Sequence, residues 1–384
     1  MARQSRTTEM MDAPIQRLLQ QADVPGDVVS LGQGVPFFGP PDAATAAAAK
    51  ALSTPDGYRY SHDAGHPGLR QAVAGKLRRD NDIAADWERN VIATAGANQA
   101  FVNAVLAVTD VGDSVVMVTP YYFNHVMAVQ MAGCRPVYVP AGENYVPEVD
   151  DIAGALRPDT RAVVTISPNN PTGAVYPPAT LRGVNELCAD HDIYHISDEP
   201  YEHFVYDDAR HVSPASYDAG LDHTISLFSF SKSYGMSGYR IGAMAVPADL
   251  YSEVLKVQDT VAICPPGPSQ AAAAAALQDQ GAYPRLFLPT LTENRQVFID
   301  GMADLDGMSL PVTRGAFYFL LQLDTDRSAW DIALRLIEEY GVVTIPGEAF
   351  AAAQPALRVA YGNITLTQAR EGMRRLAAGL PALL

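Results

Sequence analysis

The sequence predicts an α/β protein: a large domain built on a mostly parallel sheet sandwiched by helices, with a smaller α+β domain beside it. Three observations carry that expectation. Between Val91 and Val246, apolar runs of strand length alternate with longer stretches whose apolar residues recur at helical spacing, the pattern of a parallel sheet with crossover helices. From about Tyr283 the alternation changes to isolated strands set among helices. The chain, at 384 residues, is also longer than one simple core serves.

Residues 1–30 read as an arm carrying one amphipathic helix, roughly 11–22. The run Leu31-Gly32-Gln33-Gly34-Val35-Pro36-Phe37-Phe38-Gly39-Pro40-Pro41 follows. Its Gly-x-Gly lacks the third glycine of a dinucleotide fingerprint, and its prolines prevent a helix from opening on it. It reads as a loop in which Gly34 lets backbone approach a ligand, or as a plain turn. Residues 42–52 form an alanine-rich helix, and 67–79 another, with Leu69, Val73 and Leu77 on one face. Tyr58-Arg59-Tyr60 lies between them. A strand at 91–94 turns through Ala95-Gly96-Ala97-Asn98 into a helix whose Phe101, Val102, Val105 and Leu106 pack inward. Further strands are expected at 115–119, 136–139, 162–167, 193–197, 224–228 and 241–246, with helices from about Asn124 and over 178–191. In the last third, 287–298, 330–340 and the C-terminal segment read as helices. Residues 315–320 and the stretch around Arg358 read as strands.

The candidate chemistry gathers at strand ends. The run 224–228 delivers the chain to Ser229-Phe230-Ser231-Lys232-Ser233, so Lys232 sits just beyond a buried strand. An unpaired ammonium is costly to bury. A lysine in semi-buried surroundings therefore has its amine form favoured, which makes it a candidate nucleophile for a carbonyl. The plain alternative is a lysine that merely ends a strand at the surface. The chain has four lysines, and Lys50, Lys76 and Lys256 fall in helical patterns where a solvated charge is expected. At Gly96 a strand turns into a helix, offering free N–H groups and a helix dipole to an anion. Many strand–helix turns share that signal. Asn170 stands in a loop stiffened by Pro168, Pro171 and Gly173, and Asp198 ends an apolar run, where aspartate often only caps a turn. Arg358 is central in a short apolar strand, either facing an anion or lying on an exposed edge. Gly96, Asn170, Asp198 and Lys232 all fall where open α/β sheets bind ligands. That coincidence lifts them above their separate plain readings.

Composition narrows the class. Acidic residues exceed basic ones, 43 against 27, for a net charge of −16, which disfavours binding to a phosphate backbone. Cys134, Cys188 and Cys264 are odd in number and lack metal-ligand spacing, so a reducing, cytoplasmic setting is expected and no metal. Residues 1–11 are polar without an apolar centre, so no secretory signal is expected. The alanine-rich run 271–277 is too short to span a bilayer, and no membrane partner is expected.

These residues resemble the class I/II aminotransferases, pyridoxal-phosphate enzymes of fold type I. The motifs occur in order over nearly the whole chain: Gly-x-Pro-x-Phe at 34–38, Tyr60 to Gly65, Gly96 to Asn98, Asn-Pro-Thr-Gly at 170–173 and Asp-Glu-Pro-Tyr at 198–201. Ser-x-Ser-Lys at 229–232, Gly-Tyr-Arg-Ile-Gly at 238–242 and Leu-Arg-Val at 357–359 complete the set. The resemblance implies a seven-stranded large domain over 45–285, a small domain over 286–384, and a segment 1–44 divided between an arm and the small domain. It implies that Lys232 holds pyridoxal 5′-phosphate as a Schiff base and then, as a free amine, shuttles the substrate proton. Asp198 would pair with the ring nitrogen, and Tyr201 and Asn170 with the phenolic oxygen. Gly96, Ala97, Asn98, Ser229 and Arg240 would form the phosphate site. Tyr122 would stack on the ring, Arg358 would grip the substrate α-carboxylate, and Gly34 would line the entrance. Tyr60 would reach the phosphate of a neighbouring subunit, which implies a homodimer with shared sites.

The implied activity is transfer of an amino group between an L-amino acid and a 2-oxo acid. Acid-specific bacterial relatives often carry lysine at the position of Asn98. A neutral Asn98, with Gly-Gln-Gly-x-Pro-x-Phe, resembles the branch that handles aromatic, glutamine or other neutral substrates. Another pyridoxal-phosphate reaction, such as β-elimination, would use the same residues. A regulator with an aminotransferase-like sensor would need a basic nucleic-acid-binding extension, which is not expected from so short an N-terminal arm and so acidic a chain.

Overall fold

The computed structural model describes residues 5–8 and 10–384. Met1 to Gln4 and Glu9, part of the expected arm, lie outside the described residues. In chain order the first elements are helix α1 (Pro14–Gln21), strand β1 (Val29–Ser30), α2 (Asp42–Ala51), α3 (Pro55–Tyr58) and α4 (Pro67–Asp80). Next come β2 (Val91–Thr94), α5 (Ala97–Val108), β3 (Ser114–Thr119), α6 (Phe123–Met131), β4 (Arg135–Pro140), α7 (Val149–Ala155) and β5 (Thr160–Ile166). They are followed by α8 (Pro178–Asp190), β6 (Tyr194–Asp198), β7 (Thr224–Ser229), α9 (Phe230–Ser233), β8 (Gly242–Ala245), α10 (Tyr251–Ala262), α11 (Gly267–Ala276) and α12 (Ala282–Arg285). The last are α13 (Leu288–Met302), β9 (Met308–Ser309), β10 (Tyr318–Leu323), α14 (Ala329–Tyr340), β11 (Val342–Val343), β12 (Ile345–Pro346), β13 (Ala356–Ala360) and α15 (Leu366–Leu383).

Seven strands make the central sheet in the order β2-β8-β7-β6-β5-β3-β4. The neighbours from β7 through β6, β5 and β3 to β4 run parallel, while β8 runs antiparallel to both β7 and β2. Parallel strands buried on both faces read as continuous apolar runs, and Thr224–Ser229 is buried at every position. The second sheet, β12-β13-β10-β9, is antiparallel. The chain's first strand returns to this end of the molecule: β1 pairs parallel with β11, and Ala360 N–H donates to the Leu31 carbonyl at 2.7 Å. Residues 29–34 are thereby held against β13, the strand that carries Arg358. No helix among the described residues is long and apolar enough to cross a membrane.

Three local expectations need correction. The first helix starts at Pro14 rather than Met11, because proline suits the first helical position, where its missing N–H is not needed. The strand expected from Gly315 begins at Tyr318, since Ala316 has φ +54° and Gly315 N–H is turned to the Gly173 carbonyl at 2.8 Å. Lys76, expected in solvent, is 5 % exposed and paired with Glu202 and Asn81. Lys50 and Lys256 are exposed as expected.

Candidate active site

The carboxyl ends of β5, β6 and β7 and the start of α5 meet around one cavity of about 220 Å³. Each element delivers a side chain for a local reason. After β5, Asn169 folds its loop back on itself: its Oδ1 accepts from Thr172 N–H at 3.2 Å and from the Thr172 hydroxyl at 2.9 Å. That leaves Asn170 presented to the cavity. Asp198 is the last residue of β6. Lys232 lies in the single turn of α9, capped by Ser229, whose hydroxyl accepts from Ser231 N–H at 3.2 Å. Gly96 precedes α5 at φ +84°, and a Cβ there would stand 2.5 Å from Arg240 Nη2, so only glycine lets the arginine cross the helix start.

Burial sets the electrostatics. Lys232 Nζ donates to the Gly34 carbonyl at 2.5 Å. Its pKa is pushed down to about 8, first by burial and then by the Arg358 and Arg240 cations, with Asp198 opposing. Arg358 is 2 % exposed, not an edge arginine. It donates from Nη1 to Asn170 Oδ1 at 2.9 Å and from Nη2 to the Gly32 carbonyl at 2.7 Å, and its guanidinium lies over the rings of Tyr318 and Phe350. Its Nε has no partner although buried. Asp198 Oδ2 pairs with His125 Nε2 at 3.1 Å, while its Oδ1 is buried with no partner. The His125 ring is stacked on Phe101 with centroids 3.8 Å apart. Tyr201 and Tyr318 share a hydroxyl–hydroxyl hydrogen bond of 2.8 Å. Burial, with Tyr318 beside it, raises the Tyr201 pKa well above the usual phenol, so its proton stays available for donation. A buried carboxylate oxygen and a buried guanidinium nitrogen, both unpartnered, mark where a cationic and an anionic group of a ligand fit.

Of the sequence candidates, Gly34, Ala97, Asn98, Tyr122, Asn170, Asp198, Tyr201, Ser229, Lys232, Arg240 and Arg358 all line this cavity. Gly96 stands behind Arg240. Tyr60 is not among the lining residues and is 79 % exposed. Gly34 does more than admit a ligand: a Cβ at that position would collide with the Tyr318 hydroxyl. Sequence reasoning missed Tyr318, which read as core in an apolar strand, and His125, which holds Asp198. A signal for His125 existed, since it lies one helical turn beyond Tyr122 and so near the same face.

The aminotransferase class I and II family model matches residues 26–376. An aromatic aminotransferase of Arabidopsis thaliana is 34 % identical over 100 % of this chain and 97 % of its own. An aspartate aminotransferase of Pyrococcus abyssi is 34 % identical over 94 % of each. Among solved structures, a Thermus thermophilus aspartate aminotransferase double mutant aligns with a TM-score of 0.91 at 32 % identity, over 99 % of this chain and 100 % of that one. The aromatic aminotransferase of Pyrococcus horikoshii aligns with a TM-score of 0.88 at 33 % identity, over 96 % of this chain and 100 % of that one.

Proposed function

The chain belongs to the class I and II aminotransferases, and from that premise we propose that its 220 Å³ cavity holds pyridoxal 5′-phosphate and exchanges amino groups between an L-amino acid and a 2-oxo acid. The observation that carries the reading is the half-buried Lys232 amine in one cavity with an unpartnered Asp198 oxygen and an unpartnered Arg358 nitrogen. The residues present fit the cofactor. The start of α5 at Ala97 and Asn98, with Ser229 and Arg240, suits its phosphate. The free Asp198 Oδ1 suits a protonated ring nitrogen, and Tyr201 and Asn170 suit its phenolic oxygen. When bound, pyridoxal phosphate supplies an electron sink for the charge left when a substrate loses its α-proton.

The chain's own groups do the rest. Lys232 would hold the aldehyde carbon and, once displaced by the substrate amine, take the α-proton and deliver it to that same aldehyde-derived carbon across the intervening nitrogen. Its depressed pKa, about 8, leaves about a tenth of it as free amine at pH 7, far more than the roughly 10.4 of an ordinary lysine allows. Asp198, oriented by His125, would keep a proton at the ring nitrogen. Arg358 would bind the α-carboxylate and fix the scissile bond, with Asn170 as the group to which it is already tied. Tyr122 would lie against the ring. Gly34 would set the entrance, its carbonyl meeting the Lys232 amine. Transfer would run in two halves, the first 2-oxo acid leaving before the second enters.

The α-carboxylate site is common to all amino acids, so selectivity falls to the side-chain pocket. Asn98, which lines the cavity with Tyr122, is neutral, while Phe37 and Phe38, packed on Phe287, are not among the lining residues. We therefore propose neutral or aromatic side chains over acidic ones, in a cytoplasmic setting. The decisive test is to mix the purified, cofactor-loaded protein with each amino acid and follow the cofactor absorbance. Phenylalanine, glutamine or methionine should convert it at least as well as aspartate. A hundredfold preference for aspartate overturns the side-chain reading, and no conversion by any amino acid overturns the reaction.

A further inference from the structure

Behind the active cavity lies a buried polar network that the chemistry above does not use. Asp198 faces the cavity, but the next residue, Glu199, is fully buried away from it, paired with His211 Nε2 at 2.8 Å and with the Ser213 hydroxyl. Asn81 Nδ2 donates to Ser213 Oγ at 2.8 Å and to Glu202 Oε2 at 2.9 Å. Lys76 Nζ donates to Asn81 Oδ1 at 2.6 Å and to Glu202 Oε2, and lies 4.5 Å from the centroid of the Phe228 ring in β7. His203 Nδ1 then meets the hydroxyl of Ser233, the neighbour of Lys232, at 2.9 Å. The chain of contacts thus runs from the residue after Asp198 to the residue after Lys232. It shares a wall with the active cavity, because Ser229 lines both that cavity and a small one bounded by Lys76, Glu202, Phe228 and Ser233.

Stability alone is a weak reason for such an arrangement. A buried ion pair is often no better than a well-packed apolar pair of the same volume, whereas fixing one geometry is its best-attested use. We propose that the Glu199–Ser213–Asn81–Glu202–Lys76 network, with His211 and the His203–Ser233 link, is a positioning device that fixes the turn bearing Asp198 and Tyr201 against the helix bearing Lys232. The ionisable groups facing it are Asp80, Arg79, Asp279 and Tyr234. Burial opposes charge on Glu202, but Lys76, then His203 and His211, hold it at about 2. Burial holds His203 at about 4, so at neutral pH its ring serves as a hydrogen-bonding spacer rather than a charge.

The inference rests on the role proposed for Lys232, and its test reads that lysine independently of the cofactor. In the cofactor-free full chain, the pH dependence of Lys232 reductive methylation by formaldehyde, with cyanoborohydride as the hydride donor, is measured by peptide mass spectrometry, for the parent, Ser233→Ala and Lys76→Met/Glu202→Leu. Ser233→Ala cuts the link while keeping the core filled, and the double change replaces the ion pair with apolar volume. Both are expected to let water reach Lys232, moving its midpoint up by about half a unit or more toward the free-lysine value. In the loaded enzyme kcat should fall about tenfold or more with KM within about twofold, as misplacement of a reacting group requires. A lowered Tm with an unchanged midpoint and unchanged kcat marks a merely structural network and overturns the proposal. If the double variant does not fold, Ser233→Ala decides alone by the same two readouts. Failure of the parent to bind pyridoxal phosphate at Lys232 counts against the proposed function, and leaves the methylation comparison standing.

Discussion

Lys232 combines two demands that normally conflict: it must be buried enough to be an amine and held close enough to charge to be useful. With its pKa pushed down to about 8 by burial and by Arg358 and Arg240, its neutral fraction rises as pH rises through about 8. An unperturbed lysine would wait until about 10.4. Capture of pyridoxal phosphate by the cofactor-free chain, trapped with borohydride, should therefore climb from pH 7 to 9 and then level. Peptide mapping should find the label on Lys232, and a label on Lys50, Lys76 or Lys256 would sink the assignment. Asp198 is proposed to work through its charge. Its Oδ2 is spent on His125 and its Oδ1 is free, so Asp198→Asn should leave the fold intact while lowering kcat by roughly a hundredfold or more, the scale of losing one preorganised electrostatic contact. Asp198→Glu should retain more activity than Asn; equal activity of Asn and wild type would remove the ring-nitrogen role. Both residues were legible in the sequence because each follows an apolar run directly. Lys76 was misread for the opposite reason, since its partner Glu202 lies 126 residues away and nothing local announces a buried pair.

At the scale of elements, the site depends on the approach of residues 29–34 to the antiparallel sheet. Arg358 lies in the middle of β13, opposite Leu320 of β10 on one side and Ile345 of β12 on the other, and Gly34 beneath the Tyr318 hydroxyl closes the same corner. Gly34→Ala should therefore destabilise by about 1–3 kcal/mol through overpacking, read as a lowered Tm. Tyr318→Phe in the same chain should recover part of the loss by removing the colliding oxygen; no recovery would show that the strain lies elsewhere. Arg358→Ala should cost every substrate alike, about 2–5 kcal/mol, or roughly 30- to several-thousand-fold in kcat/KM. Arg358→Lys should not restore it, because an ammonium cannot reproduce the two-pronged grip. A loss confined to one amino acid would move Arg358 out of the α-carboxylate role. Strand positions in the large sheet were readable from apolar runs. The antiparallel direction of β8 was not, because a strand buried on both faces looks the same in either sense. Four residues of α9 are too few to display a helical period, and Tyr318 passed for core because its aromatic ring is core while only its hydroxyl reaches the site.

At the scale of the whole molecule, one expected participant stands apart from the site. Tyr60 is 79 % exposed, close in sequence to Tyr58 at 63 %, and does not line its own chain's cavity. The end of that cavity proposed to take the phosphate is walled by Arg240, which is itself exposed. We propose that a two-fold dimer brings Tyr60 of one chain to the Arg240 end of the other chain's cavity, each chain lending a residue to the other. We therefore expect a homodimer by light scattering, and Tyr60 acting across the interface. Subunit mixing separates this from a role within one chain. Lys232→Ala chains carry an intact Tyr60 but no lysine, and Tyr60→Ala chains the reverse. If Tyr60 acts in trans, each mixed dimer holds one site with both residues, lent by the two different chains. Random mixing in equal amounts should then recover about a quarter of the wild-type sites, as two-fold pairing dictates. If Tyr60 acts within its own chain, every site in every dimer lacks one of the two residues. Mixing would then restore nothing beyond the residual activity of the Tyr60→Ala parent, and the shared-site arrangement would be wrong.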